Sequence, residues 1–81
     1  MSLVTGEQLR AARAMLRMEQ ESLAQKARVS ANTIRRMEGF DGPIGARTDT
    51  IRRLQQVLEE AGVEFLDGDR PGVRMRTPTA A

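Results

Sequence analysis

Cysteine, histidine, tryptophan and tyrosine are all absent from these 81 residues, and two Phe are the only aromatics. Without Cys there is no thiol chemistry and no disulfide framework. The joint lack of Cys and His also removes the ordinary zinc site and imidazole acid–base catalysis. No apolar run approaches the ~20 residues of a membrane-spanning helix, and no charged segment leads into an apolar stretch as in a secretory leader. Internal repeats and low-complexity tracts are missing too. So are a nucleophile–base pair and a Gly-rich phosphate loop, so no enzyme activity, cofactor or metal is expected. At this length the chain makes one small domain. Met1-Ser2-Leu3 is consistent with a cloning remnant and is given no structural weight.

Charge is plentiful and uneven. The 13 basic residues against 11 acidic ones give a net charge of only +2, but the bases are Arg apart from Lys26. Arg is a planar, permanently charged fork suited to phosphates and guanine edges. Most of the bases lie before residue 59, whereas the remainder, with Glu59, Glu60, Glu64, Asp67 and Asp69, is acidic overall. A basic body with an acidic tail points to an anionic partner for the body. A codon bias favouring Arg over Lys accounts for the same composition equally well.

Periodicity divides the chain into helices and a hairpin. Leu9, Ala12 and Leu16 fall at helical spacing between Thr5, a plausible N-cap, and Arg17. Gln20 to Ala27 reads as a second short helix, with Leu23, Ala24 and Ala27 inward. Ser30 caps a third over Ala31 to Glu38, which stops at Gly39. A loop with Gly42, Pro43 and Gly45 follows. A longer helix starts at Thr48 or Asp49 and runs to Ala61, with Ile51, Leu54, Val57 and Leu58 as its stripe and Gly62 beyond its end. The period then changes to two over Val63-Glu64-Phe65 and Val73-Arg74-Met75-Arg76, around the turn formers 67–72. This predicts a β-hairpin with Val63, Phe65, Val73 and Met75 on one face. A lone hairpin is marginal in water, so it packs on the helical body or on the hairpin of another chain. The expected fold is mainly α: a four- to five-helix bundle with a helix–turn–helix over 5–62, a C-terminal hairpin over 63–76, and a frayed tail over 77–81.

Angular arithmetic locates a candidate site. At 100° per residue, with Ile34 at zero, Asn32 and Arg36 fall at about 160° and 200°, opposite the apolar stripe and one turn apart. An amide and a guanidinium on a protruding face suit base edges in a major groove, since Asn matches adenine and Arg matches guanine in bidentate fashion. A polar outer face is also simply what a surface helix shows. The same arithmetic puts Arg13 and Glu38 on the apolar stripes of the first and third helices. Buried charge is costly unless paired, so they either meet as an ion pair inside the bundle or snorkel to the surface.

Residues 7–62 resemble the helix–turn–helix domain of phage repressors and Cro and of the bacterial xenobiotic-response-element regulators. The resemblance rests on Gln20-Glu21-Ser22-Leu23-Ala24, on Val29-Ser30-Ala31-Asn32-Thr33-Ile34, on Arg36-Met37-Glu38-Gly39, and on the Arg13/Glu38 pairing. It implies a repressor-like bundle that binds a pseudo-palindromic double-stranded DNA operator as a homodimer. By position, Ala31, Asn32 and Arg36 would read bases. Gln20, Ser30, Thr33, Arg35 and Arg47 would meet phosphate or backbone. Two residues depart from the pattern: Arg28 stands where the family has a turn Gly, and Glu19 where it has a Ser or Thr cap.

The resemblance implies transcriptional regulation, with repression expected, in the bacterial cytoplasm and with no membrane partner. An antitoxin that autoregulates its operon beside a protein partner such as a toxin shares this domain. A protein-interaction module that has lost DNA binding is the remaining alternative. The hairpin is the candidate dimerisation element.

Overall fold

The computed structural model describes residues 3–39, 45–66 and 69–76. Over them run α1 (Gly6–Leu16), α2 (Gln20–Ala27), α3 (Ala31–Glu38), α4 (Thr48–Glu60), β1 (Val63–Leu66) and β2 (Gly72–Met75). The protein is mainly helical with a C-terminal two-stranded antiparallel hairpin, as expected. The frayed tail, most of the glycine-containing loop, and Asp67 and Gly68 of the hairpin turn lie outside the described residues. Among the described residues, no helix is long and apolar enough to cross a membrane.

Local chemistry sets the helix limits. The Thr5 side chain accepts from the Gln8 amide, and the Gln8 carboxamide returns a bond to the Thr5 N–H, a reciprocal capping box. The Ser30 hydroxyl accepts from the Thr33 amide in the same way at the start of α3. Glu19 makes no side-chain cap for α2. Arg28 adopts the left-handed conformation (φ 58°) expected of a turn glycine, and Arg17 does the same after α1 (φ 53°). Each costs on the order of 1 kcal/mol relative to a right-handed residue. α3 then begins after only three intervening residues. Gly39 behaves differently: it ends α3 in a right-handed conformation (φ −76°), so its freedom is not used there. Gly62 does need to be Gly, because its φ is +116° and a Cβ would sit 3.2 Å from the Met75 methyl.

One core joins all these elements. Leu9 and Ala12 of α1 meet Leu23 of α2, Ile34 and Met37 of α3, and Leu54 and Leu58 of α4. The hairpin completes it: Val63 and Phe65 are fully buried, and Val73 packs against them from β2. The register pairs Val63 with Met75 and Phe65 with Val73, so these four share a face as predicted, although Met75 remains exposed. Glu64 and Arg74 pair on the opposite face. The hairpin therefore packs on its own helical body, one of the two arrangements the pattern allows.

Gln8 fastens it there. Its Nε2 donates to the carbonyls of Leu66 (2.9 Å) and Gly72 (3.1 Å), at the turn end of the hairpin, while Oε1 accepts from the Val4 and Thr5 amides. At the other end the Arg76 amide donates to the Gly62 carbonyl. Leu3, given no structural weight in the sequence, belongs to the core. The residue is 3% exposed and its amide donates to Gln55 Oε1 at 2.9 Å. Burying such a side chain is worth about 1.5–3 kcal/mol, and three residues are too few to show a period.

Candidate nucleic-acid interface

α3 is held by one side and leaves the other to solvent. Ile34 and Met37 are buried in the core, and Ala31 is half-buried against it. Asn32, Arg35 and Arg36 are exposed. Thus Asn32 and Arg36 lie opposite the anchoring residues, as the helical arithmetic has it. Among the described residues the Arg36 side chain has no ion pair or hydrogen-bond partner, so its five N–H donors face water.

The inner side of α3 ends in a buried charge cluster. Arg13 Nε lies 2.6 Å from Glu38 Oε2 and Arg13 Nη2 lies 2.7 Å from Oε1, a bidentate pair between α1 and α3. Glu38 is only 5% exposed and the Arg13 side chain 21%. Arg13 Nη1 donates to the Met18 carbonyl, and Gln20 Nε2 donates to Glu38 Oε1 at 3.0 Å. The Arg10 guanidinium donates to the Glu38 carbonyl. The hydrogen bonds that the Arg13 guanidinium donates to Glu38 hold it above its ordinary pKa, against the opposing pull of desolvation. The two charges meet inside the bundle instead of reaching separately for solvent. This cluster joins α1, the start of α2 and the end of α3, so it fixes the angle at which α3 stands.

The other candidate residues fall into four groups. Ser30 and Thr33 bond one another (2.8 Å) and cap α3, so their hydroxyls are already engaged. Gln20, expected to hold a phosphate, directs its Nε2 to Glu38. Ala31, expected to offer a methyl to a base, packs part of that methyl on the core. Arg47 is almost fully exposed, with Asp49 Oδ1 at 3.8 Å.

Sequence reasoning missed a surface chain. Arg35 Nη1 donates to Asn32 Oδ1 at 2.7 Å, and Arg35 Nη2 lies 3.9 Å from Glu21 Oε2 on α2. The spacing of three between Asn32 and Arg35 is the signal that could have found it, since residues so spaced are neighbours on a helix.

No protein-family model matches the chain, and no curated protein matches it in sequence.

Proposed function

We propose that this protein binds double-stranded DNA in a sequence-specific way and regulates transcription as a repressor by occupying a promoter. Two copies place their α3 helices in successive major grooves about 34 Å apart on one face of the duplex. Asn32 and Arg36 select bases, while Arg28, next to α3 in the turn, and Arg47, at the start of α4, supply positive charge toward phosphates. The observation that carries this reading is the exposed amide–guanidinium pair opposite Ile34 and Met37 on a helix anchored by an internal ion pair. The excess of Arg in the helical body supports it, because phosphate neutralisation supplies much of the affinity for DNA.

Retention of the protein on random duplex DNA across a salt series tests the electrostatic part. A steep fall of log affinity with log salt is expected; failure to bind even at low salt overturns the proposal. Selection of bound sites from random duplexes tests the base-reading part. A palindromic site with half-sites one helical turn apart is expected, and an unselected pool overturns sequence specificity.

A further inference from the structure

Arg35 lies on the flank of α3, where position alone assigns it to a phosphate. The geometry points to a different role, which rests on the DNA-reading proposal above: Arg35 is a positioning residue that orients the Asn32 carboxamide to read adenine, and Glu21 steadies Arg35.

A free Asn on a helix surface can turn its carboxamide over, exchanging acceptor and donor ends. In this protein Arg35 Nη1 donates to Asn32 Oδ1 at 2.7 Å, and this defines which end is oxygen. Arg35 in turn has Glu21 Oε2 at 3.9 Å from its Nη2, so the side chain is drawn across the α2–α3 surface instead of projecting freely. Glu21 has no evident use at a phosphate surface, where its charge is repelled, but it has one as a counter-ion for Arg35. Oδ1 keeps its second lone pair and Nδ2 keeps both hydrogens, with no other partner among the described residues. The exposed edge of Asn32 therefore presents one acceptor and one donor in a set order. Adenine presents the complement in the major groove, an N6 donor beside the N7 acceptor, whereas guanine presents two acceptors.

The test is equilibrium binding of wild type, N32A, R35A and the N32A/R35A double variant. The probes are the duplex selected from the random pool and its single-base-pair variants across one half-site. N32A and R35A are expected to lose preference at the same A·T pair, each by about tenfold, the scale of one bidentate contact. The double variant is expected to lose no more at that pair than N32A alone. Uniform weakening of every duplex by R35A, with the preference intact and a shallower salt slope, makes Arg35 a phosphate contact and overturns the inference. A pair other than A·T at the position sensitive to N32A overturns it as well. In both cases the wild type still discriminates, so the proposed function stands. A wild type with no preference at any position overturns both.

Discussion

The C-terminal hairpin buries Val63 and Phe65 and sets its outward charges, Glu64 and Arg74, 2.6 Å apart against each other. α3 buries Ile34 and Met37 in much the same manner, yet leaves the Arg36 side chain on its outer face without a partner among the described residues. Both segments are short and amphipathic, and both stand out in the sequence as candidates for contact with another molecule. The difference lies in what remains once the core is satisfied. The hairpin packs on its own body, with only Met75 of its apolar face still open among the described residues. α3 has fixed its inner side and kept its hydrogen-bond donors outward. A segment of the first kind has its apolar face covered within the chain, and one of the second kind leaves polar groups to solvent.

Removing the hairpin's largest side chain tests this contrast most severely. Phe65 is fully buried, so Phe65→Ala is expected to cost about 3–5 kcal/mol, measured by urea unfolding. That is a large part of the ~5–15 kcal/mol that holds a typical domain together. DNA affinity per folded molecule is expected to stay unchanged. For the same reason a chain cut after Gly62 is expected to unfold, so cutting there does not isolate a dimerisation role of the hairpin. A marginal effect of Phe65→Ala on unfolding contradicts its place in the core.

The next test is on the inner side of α3. Arg13→Ala leaves Glu38 buried with the Gln20 amide as its remaining side-chain partner among the described residues, and should cost roughly 3 kcal/mol. For a domain of this size that lowers the melting temperature by roughly 10–20 °C. An unmoved transition shows that the pair is solvated.

How far the sequence carries these contrasts differs by element. The helices are legible because their apolar residues repeat at helical spacing and Thr5 and Ser30 mark two of the starts. The Arg13–Glu38 pair is legible although 25 residues separate its members, because each charge falls on an apolar stripe where only pairing or escape to solvent is acceptable. The hairpin is legible as an element but not in its docking. Alternation shows that an apolar face exists without saying what covers it. The clamp from Gln8 reaches carbonyls 58 and 64 residues away, and no local pattern encodes such a bond. At the candidate site, exposure of Asn32 and Arg36 follows from the helical angle alone. The direction of Gln20 toward Glu38 does not, because it depends on where the end of α3 comes to rest.

On the outer side of α3 the expected effect moves from stability to recognition. Arg36→Ala is expected to cost about 1–3 kcal/mol of binding free energy and to relax preference at one base pair. The melting temperature should barely change, because an exposed side chain without partners contributes within about 0.5 kcal/mol. Equal loss on selected and random duplexes makes Arg36 a general phosphate contact instead of a base reader.

The smallest effect belongs to the outer face of the hairpin. Arg74 holds the Glu64 carboxyl below its ordinary pKa, chiefly through their hydrogen bond. A carboxyl lowered in the folded state stabilises that state above its unfolded pKa, and the contribution disappears as pH falls through the folded value. The window therefore opens just below the ordinary carboxyl value of 4.5 and lies wholly on the acid side. Both groups face solvent, and water and salt screen such pairs until little is left. Arg74→Ala should leave the melting temperature at pH 7 within error. It should also slightly flatten the acid limb of the stability profile at low ionic strength, with no difference at high salt. A clear loss of stability at pH 7 would mean that water does not reach this face freely, and the hairpin would then have a covered outer surface that its own chain does not supply.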